Sequence, residues 1–329
     1  MAPNFDETTK ASELVPFYAT KVIGKTILVT GVSAGSLGES FVKQVAVGKP
    51  AAFILAGRSP NKFQSLVDEL ASAHPEIKVK SLALDLTSLA QVRKAAELVN
   101  SWDDVPHIDV LVNNAGIMAV PYHLTEDGFE SQLQTNHLSH FLFTNLIMKK
   151  ILAAHVPRIV LISSMGHRQG HFRWADYNFS NGELYDKWAA YGQSKTAVPL
   201  TALALAEKLG SKGLLSFSLC PGSVGTNLGA HAADQFAEFV ESFQAADAKM
   251  GNKWMLKQEV RYKDLDEGAA THVFAAFDSG IAKNNGAFLN HSRLADPFAQ
   301  EVFPWVTDKA SAEMLWKLSE KLVGQEFSY

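Results

Sequence analysis

Residues 26–38, TILVTGVSAGSLG, join a short apolar run to three closely spaced glycines, Gly31, Gly35 and Gly38. The run TILVT is typical of a strand buried on both faces, and the residues from Gly38 to Val47 have the spacing of an amphipathic helix. Glycines at such a junction let the backbone turn sharply and approach a pyrophosphate, whose charge meets the positive end of the helix dipole. The sequence therefore predicts a dinucleotide site at the first strand–helix junction.

The same alternation of apolar runs and helical stretches continues along the chain. Strands are predicted at 26–30, 52–56, 78–83, 110–113, 159–163 and 214–219, with a weaker pattern at 287–290. Helices are predicted between them at 38–47, 60–73, 89–101, 128–153 and 188–209. Right-handed crossovers with helices on both faces favour a doubly wound parallel sheet, the Rossmann-type α/β fold.

The chain is predicted to form one domain, residues 22–329, after an N-terminal extension, residues 1–21. The regular alternation ends after residue 219. Residues 230–249 then place five apolar side chains on one helical face: Ala233, Phe236, Ala237, Val240 and Phe243. A tail helix is predicted at 310–323, and it groups Met314, Leu315, Leu318 and Leu322. Both stripes need a surface to pack on, so we expect them to dock on the same body.

Composition excludes several classes of function. The 329 residues carry 30 Lys and Arg against 34 Asp and Glu, a formal net charge of −4, and no basic stripe, which argues against a nucleic-acid partner. The single cysteine, Cys220, excludes an intramolecular disulfide and a multi-thiolate metal site. The N-terminus does not look like a signal peptide, and no apolar stretch reaches the roughly 20 residues that a spanning helix needs. We expect a cytoplasmic protein without a transmembrane segment.

The end of the second strand indicates which dinucleotide binds. Its last residues are Ala56-Gly57-Arg58-Ser59, at a point where an NAD-binding fold usually offers an acidic side chain to the adenosine ribose. Arg58 can donate a forked pair of hydrogen bonds to a 2′-phosphate, with help from Ser59 or Lys62. The sequence therefore favours NADP(H) over NAD(H), while a solvated surface arginine is the alternative interpretation.

Polar motifs follow the later strands. NNAG at 113–116 follows the fourth strand, SS at 163–164 follows the fifth, and YGQSK at 191–195 lies near a helix start. Ligands bind at the carboxyl ends of parallel strands. Tyr191 and Lys195 are four residues apart and share a helical face. A nearby ammonium favours the phenolate, and a tyrosine tuned in this way can exchange protons with an alcohol or a carbonyl near neutral pH.

These motifs occur together in a recognisable order. They are TGVSAGSLG, Asp85-Leu86, NNAG, Asn136 within TNHLSHFLFTNLI, LISS, YGQSK and CPGSVGT. With them, residues 22–292 closely resemble the classical short-chain dehydrogenase/reductase family. The strings HLSHFLFTNL and LWKLSEKLVG are most similar to the retinol-dehydrogenase-like branch of that family.

The resemblance implies a catalytic set of four residues. Tyr191 would donate or accept the proton, and Lys195 would hold the nicotinamide ribose and tune that tyrosine. Ser164 would hydrogen-bond the substrate oxygen. Asn136 would hold a water in a proton relay that leads out through Lys195.

The resemblance also implies where each part of the cofactor would lie. The pyrophosphate would be lined by Gly31, Ser33, Gly35 and Gly38. The adenosine half would contact Arg58, Ser59, Asp85 and Leu86, and the neighbouring ribose region would contact Asn114 and Gly116. The nicotinamide would be flanked by Pro221, Gly222, Val224 and Thr226, and its amide would meet the Val224 backbone.

The glycine loop departs from the family pattern TGxxxGxG. Two residues separate Gly35 from Gly38, an apparent insertion of one residue, so we expect the start of the helix to shift. The departure affects which backbone N–H groups touch phosphate, but not the four catalytic positions. The stretch between the Ser164 and Tyr191 motifs supplies further candidates for the edge of the pocket: His167, His171, Phe172, Trp174 and Tyr177.

Residues 223–262 occupy the place where the family keeps a variable substrate lid. Their apolar stripe comprises Phe236, Phe239, Val240, Phe243, Met250, Trp254 and Met255. An apolar lid implies an apolar or aromatic substrate, because it would leave polar groups unpaired. Oligomer contact, shallow membrane adhesion and core packing are the alternatives. The His167/His171 and His137/His140 pairs have no cysteine or HExxH partner, so no metal site is predicted.

The predicted function is an NADP(H)-dependent oxidoreductase, a ketoreductase, that interconverts a carbonyl with a primary or secondary alcohol on a small molecule. A homo-oligomer is compatible with this interpretation. A second hypothesis keeps Tyr191 but uses it without net redox change, as a dehydratase, cyclase or isomerase. A third makes the chain a nucleotide-sensing module, and the intact catalytic set argues against it.

Overall fold

A mostly parallel β-sheet runs through the residues that the computed structural model describes, which are 5–252 and 261–329. Its strands are β1 Thr26–Thr30, β2 Ala52–Gly57, β3 Lys78–Ala83, β4 Val110–Asn113, β5 Arg158–Ile162, β6 Leu215–Cys220, β7 Phe288–Asn290 and β8 Arg293–Leu294. They lie in the order β3-β2-β1-β4-β5-β6-β7-β8, and among them β8 alone is antiparallel to its neighbour. The order reverses direction between β1 and β4, which is where a doubly wound sheet opens a crevice.

Helices cover both faces of this sheet. They are α1 Ala11–Phe17, α2 Ala19–Val22, α3 Leu37–Ala46, α4 Gln64–Ala73, α5 Leu89–Ser101, α6 Ser131–Leu133, α7 Ser139–Leu146, α8 Met148–Leu152, α9 Lys187–Leu209, α10 Phe236–Lys249, α11 Leu265–Phe277 and α12 Lys309–Val323. Side chains of α5, α7, α9 and α12 share one apolar cluster, and side chains of α1, α3, α4 and α11 share another. The predicted Rossmann-type α/β fold is confirmed.

Alternation along β1 shows why its sequence is apolar throughout. Ile27 and Val29 point into the cluster under α3 and α11, whereas Leu28 points into the cluster under α5 and α9. Successive strand residues face opposite sides of a sheet, and here both sides are covered by helices. All five residues of β1 are therefore buried.

The strand predictions agree with the structure to within about one residue at each end. Ser163 and Leu214, which were predicted as strand, lie just outside β5 and β6. The predicted helix 128–153 is wrong as a single element. It is divided into α6, α7 and α8, with a π-helical turn, Gln134–Leu138, between the first two. Such turns interrupt α-helical hydrogen bonding, and no apolar period in a sequence reveals them.

The N-terminal extension packs on the sheet domain. Ala11, Leu14 and Val15 of α1 are buried in the same cluster as β1. The Ser12 N–H and hydroxyl donate to the two oxygens of Asp266 at 2.8 and 2.6 Å, and the Tyr18 hydroxyl donates to Asp278 at 2.7 Å. These bonds fasten the extension to both ends of α11.

The C-terminal elements follow the prediction in part. The tail helix spans Lys309–Val323, with Asp308 accepting from the Ser311 N–H as its cap, and its Trp316 packs edge-on against Phe141 of α7. A 3-10 segment, Asn227–Gln235, replaces the first turns of the helix predicted at 230–249. The predicted lid residues Trp254 and Met255 lie outside the described residues. Within the described ranges, no helix is long and apolar enough to cross a membrane.

Candidate active site

A cleft of about 1500 Å³ opens at the carboxyl ends of the parallel strands. Most of the residues predicted to form the site line it: Gly31, Ser33, Arg58, Ser59, Asp85, Leu86, Asn114, Gly116, Ser164, Tyr191, Lys195, Pro221, Gly222, Val224 and Thr226. Gly35, Gly38 and Asn136 do not line it. The cleft runs from the ends of β1 and β2 to the ends of β5 and β6, which gives it the extent that a dinucleotide requires.

Gly31 makes the first turn of the glycine loop possible. Its φ is +74°, and a Cβ at this position would lie 2.7 Å from the Ala115 Cα, so glycine is required on both counts. The missing side chain lets the turn after β1 lie against Ala115, and the backbone from Gly31 to Leu37 borders the cleft at Gly31, Ser33, Ser36 and Leu37. The residues present therefore fit a pyrophosphate at the start of α3.

Ser36 sets where α3 begins. It accepts a hydrogen bond from the Glu39 N–H at 3.1 Å, which makes it the N-cap, and α3 starts at Leu37 instead of the predicted Gly38. The Gly35 N–H donates to the Glu39 carboxylate at 2.6 Å, so it is turned away from the cleft. Ser36 and Leu37 line the cleft instead, and the Ser-x-x-Glu spacing of Ser36 and Glu39 was the signal for this shift.

Gly38 serves packing and does not line the cleft. A Cβ at this position would lie 2.5 Å from the Gly31 carbonyl oxygen and 2.7 Å from Asn114 Nδ2. The absence of a side chain lets α3 lie against the end of β1. Of the four residues predicted to line the pyrophosphate, Gly31 and Ser33 therefore line the cleft, whereas Gly35 and Gly38 do not.

Asn114 holds the glycine loop against β4. Its Nδ2 donates to the carbonyl oxygens of Thr30 and Gly31 at 2.9 and 3.0 Å. Thr30 Oγ1 accepts the N–H groups of Asn114 and Ala115, and it lies 3.0 Å from His140 Nε2. These bonds join the first and fourth strands at the crevice, so Asn114 shapes the ribose region from behind.

The structure brings Ser164, Tyr191 and Lys195 together at the end of β5. Ser164 and Tyr191 both border Gly166: a Cβ on that glycine would lie 2.5 Å from Tyr191 Cε1 and 3.4 Å from Ser164 Oγ. Lys195 Nζ donates to the Ile162 carbonyl oxygen at 3.0 Å and lies 5.7 Å from the centre of the Tyr191 ring. Asp186 begins α9 by accepting the next two free N–H groups, which fixes the turn that carries the tyrosine.

Burial dominates the protonation of this group. It raises the pKa of Tyr191 well above its ordinary value, against the opposing effect of the nearby Ser164 hydroxyl. It also lowers the pKa of Lys195 to about 8. The shift runs against the expectation that the ammonium keeps the phenol acidic: desolvation of the buried phenolate is its largest cause, and Lys195 is not among the groups that lower the pKa of Tyr191. The neutral phenol is a proton donor at neutral pH.

Asn136 lies in the π-helical turn, and protein groups engage its side chain. Its Nδ2 donates to the Ile117 carbonyl oxygen and to Ser194 Oγ, both at 2.9 Å, and its Oδ1 accepts the Ile117 N–H at 2.8 Å. The side chain thus fastens the cleft wall at residues 116–118 to α9. These contacts fix the orientation of the amide, and the relay water at Asn136 stays a prediction.

An aromatic wall closes the side of the cleft next to Tyr191. The Trp188 ring lies 4.7 Å from the rings of Phe239 and Phe243 and 6.4 Å from the Tyr191 ring. Its Nε1 donates to Ser242 Oγ at 2.9 Å, which fixes the indole against α10. Trp188 was not predicted as a site residue, although an aromatic residue three positions before Tyr191 lies on the same face of the helix as that tyrosine.

The other candidates for the pocket edge lie elsewhere. Phe172, Trp174 and Tyr177 pack in the cluster under α9, whereas His167 is buried against Phe288 and His171 packs on Trp305. None of these five residues lines the cleft, so that expectation is wrong. Among the described residues, no group of three or more His, Cys, Asp or Glu side chains could hold a metal.

Comparisons with known proteins agree with this geometry. The family model described as short chain dehydrogenase matches residues 25–236, more than half of the chain. The chain belongs to the short-chain dehydrogenase/reductase family of oxidoreductases.

Relatives place it within that family. It is 32% identical to human retinol dehydrogenase 13 over 305 residues, which are 92% of this chain and 86% of that protein. It is 33% identical to the short-chain dehydrogenase/reductase prx1 of Penicillium rubens over 309 residues, 91% of this chain and 85% of that protein. The predicted similarity to the retinol-dehydrogenase-like branch is confirmed.

Solved structures share the fold. An uncharacterised protein of Mycobacterium paratuberculosis superposes with a TM-score of 0.68 at 30% identity, covering 94% of this chain and 97% of that one. A Beutenbergia cavernae structure, described as an NAD(P)-dependent gluconate 5-dehydrogenase with bound NADP, gives 0.61 at 25% identity, covering 82% and 95%.

Proposed function

We propose that this protein is an NADP(H)-dependent oxidoreductase that interconverts a carbonyl with a primary or secondary alcohol on an apolar or aromatic small molecule. The observation that carries the proposal is the cluster of Ser164, Tyr191 and Lys195 in the cleft, where Ser164 and Tyr191 both border Gly166 and Lys195 Nζ lies 5.7 Å from the centre of the Tyr191 ring. Two neighbouring hydroxyl donors can bind a carbonyl oxygen and stabilise the alkoxide that forms on it.

Reduction would use Tyr191 as the general acid. Bound NADPH would supply the hydride. Ser164 and Tyr191 would hold the substrate oxygen as its negative charge develops, and Tyr191 would then give up its proton. Lys195, which is anchored on the Ile162 carbonyl, would face the nicotinamide ribose and favour the phenolate left behind. Oxidation would run through the same residues in the reverse order.

The choice of NADP(H) rests on Arg58. This side chain lines the cleft at the end of β2, is exposed, and makes no hydrogen bond or ion pair with the other described residues. Its guanidinium is therefore available to a 2′-phosphate, and Ser59 and Lys62 line the same end of the cleft. The neighbouring carboxylate that lines the cleft, Asp85, accepts from the N–H and hydroxyl of Thr87, so its Oδ1 is already engaged.

The apolar character of the substrate rests on the aromatic wall. Trp188, Phe239, Val240 and Phe243 line the cleft next to the catalytic hydroxyls, together with Met118. Ring edges and faces contact apolar or aromatic surface well and leave polar groups without partners. Nothing in this wall distinguishes net redox chemistry from a dehydratase, cyclase or isomerase that uses Tyr191 as acid or base.

The deciding experiment is a panel of aromatic and aliphatic ketones, aldehydes and alcohols, followed at the nicotinamide absorbance with NADPH or NADH. We expect oxidation of NADPH in a one-to-one ratio with the alcohol formed. Product formation without any change in cofactor absorbance would favour the non-redox alternative. Faster turnover with NADH than with NADPH would contradict the cofactor assignment.

A further inference from the structure

The end of the cleft beyond Pro221 contains charged and polar side chains that take no part in the proposed mechanism. Lys263, Arg168, Asn290 and His291 line it, together with Cys220 at the end of β6. Lys263 is only 7% exposed, Arg168 4% and Asn290 3%. A lysine that is buried at this depth is unusual, because a charge removed from water needs a partner of opposite sign.

The backbone and the aliphatic part of the side chain hold Lys263 in place. Its backbone N–H donates to the Ser223 carbonyl oxygen at 2.8 Å. Its Cδ and Cε lie 3.0 Å from the point where a Cβ on Gly222 would be, so the side chain lies flat against the loop after β6. Within the described residues, its ammonium has one polar contact, at 3.5 Å from His291 Nδ1. No carboxylate in the described part of the chain forms an ion pair with it.

The two acids that act on Lys263 from a distance, Glu267 and Glu7, make no ion pair with it: Glu267 pairs with Arg261 at 2.5 Å, and Glu7 is exposed. Two further acids near this end of the cleft are engaged by other groups. Glu301 receives two hydrogen bonds from Arg293, at 2.7 and 2.8 Å, and a third from the Asp296 N–H. Asp247 accepts from Gln169 Nε2 at 2.9 Å. Burial lowers the pKa of Lys263, since the ammonium has lost water without gaining a carboxylate in contact. An anion bound here would restore the missing counter-charge.

Other groups at this end favour an anion as well. Arg168 is fixed by a hydrogen bond to the Gln300 carbonyl oxygen and lies over the Phe303 ring at 5.6 Å. The side chain of Asn290 makes no hydrogen bond with the described residues, and its Oδ1 is buried. The Cys220 thiol lies within electrostatic range of both Arg168 and Lys263, and also of Tyr191 and Lys195. The cationic end therefore adjoins the reacting centre.

The cofactor phosphates belong to the opposite end. Arg58 follows β2, and Asn290 ends β7, which is five strands away in the sheet. Neighbouring strands are about 4.8 Å apart, so the two ends are separated by roughly 24 Å, with Ser164 and Tyr191 between them. A ligand that reaches Lys263 from the catalytic hydroxyls is therefore the substrate.

We propose that the substrate carries a carboxylate or an equivalent oxyanion, which binds at Lys263 while its apolar body lies against Trp188, Phe239 and Phe243. This inference rests on the proposed function, since it names the substrate class of the same site. Lys263 is then a specificity-determining residue for the reaction. A charge-assisted hydrogen bond in a dry site gives preference for the acid over its neutral ester.

The test compares 5-oxo-5-phenylpentanoate with its methyl ester as ketone substrates of the full chain with NADPH. We expect kcat/KM for the acid to exceed that for the ester by about tenfold or more in the wild type. Lys263→Met keeps the unbranched stem on Gly222 and should abolish the preference, whereas Lys263→Arg should keep most of it. Lys283→Met, which removes a lysine outside the cleft, is the matched control and should retain the wild-type preference.

A binding measurement separates failure of this inference from failure of the proposed function. Calorimetric titration of 5-phenylpentanoate and its amide into the NADPH-saturated protein should show about tenfold tighter binding of the acid, lost in Lys263→Met. If neither ketone is reduced but this difference is present, the anion site stands and the proposed reaction falls. Equal affinity of acid and amide in the wild type, or an acid preference that survives Lys263→Met, overturns the anion site. A raised KM for NADPH with unchanged acid preference also overturns it, because Lys263 would then belong to the cofactor.

Discussion

The backbone of Gly166 lies against the ring edge of Tyr191. A Cβ at position 166 would be 2.5 Å from Tyr191 Cε1 and 2.8 Å from its Cδ1. The Gly166 N–H also donates to Ser164 Oγ at 3.0 Å, so one residue sets the position of both catalytic hydroxyls. The turn after β5 therefore positions the phenol as firmly as α9 does.

Gly166→Ala tests this contact. The added methyl group must push the phenol away from Ser164, and a displacement of about 1 Å can reduce turnover by roughly 100-fold. We expect kcat to fall by 10-fold to 100-fold, with NADPH affinity by fluorescence titration nearly unchanged. Gly225→Ala is the control, since a Cβ there meets no atom within 4 Å. Wild-type kcat in Gly166→Ala would show that the ring moves without consequence.

Tyr191→Phe tests the identity of the general acid. The phenol is buried and its raised pKa keeps it protonated at neutral pH, so removing its hydroxyl removes the proton donor. Loss of a general acid lowers rates by about 10²-fold to 10⁴-fold. We expect kcat to fall at least 10³-fold in steady-state reduction while the dissociation constant of NADPH changes little. Turnover within tenfold of the wild type would remove the proposed mechanism.

Arg58→Asp tests the choice of cofactor. The substitution removes the guanidinium that would bind the 2′-phosphate and places a carboxylate where a ribose 2′-hydroxyl could bind instead. We expect the KM for NADPH to rise by about 10-fold to 100-fold, while the KM for NADH stays level or falls. Because NADH lacks the phosphate, it serves as the internal control. A similar rise for both cofactors would assign Arg58 a role in folding or in general cofactor binding.

The predictions from sequence agree best with the structure where a single local rule, such as strand burial or helical spacing, determines the position of a residue. The inner strands β1, β2, β4 and β5 were predicted closely because burial on both faces produces a nearly continuous apolar run. Ser164, Tyr191 and Lys195 were found together because strand ends and helical spacing bring them to one edge. The sharp turn of the backbone at Gly31 was predicted because glycine allows such a turn.

The failures have physical reasons of their own. Gly38 was assigned to phosphate because glycine spacing does not show whether a missing side chain admits a ligand or a neighbouring backbone. The direction of the Tyr191 pKa shift depends on how deeply the ring is buried, and the spacing of Tyr191 and Lys195 in the sequence does not reveal that depth. Lys263 is far from Gly222 along the chain and reaches the cleft only through tertiary packing against it, so the sequence held no signal for this lysine.

Four buried histidines should make the fold sensitive to acid. Burial lowers the pKa of His137 to about 3 and those of His140, His167 and His272 to about 4. In the unfolded chain their pKa is about 6.5, so below that pH the unfolded state binds protons that the native state refuses. The free energy of unfolding must therefore fall as the pH drops from about 6.5 toward 4.

The difference between the pKa of a histidine in the native state and in the unfolded chain determines how much unfolding free energy is lost. At pH 5, a histidine whose pKa falls to about 4 lowers the free energy of unfolding by about 2 kcal/mol, which is a large fraction of the stability of an ordinary domain. Urea denaturation at pH 7 and pH 5 should show this loss. His272→Gln replaces a ring whose Nδ1 is buried without a hydrogen bond. It should reduce the difference in the free energy of unfolding between pH 7 and pH 5 by about 2 kcal/mol. His155→Gln, at an exposed position, should leave the difference as it is in the wild type. Equal stability at both pH values would mean that these rings take up protons in the native state, and that the core around Asn136 and Asn114 opens to water.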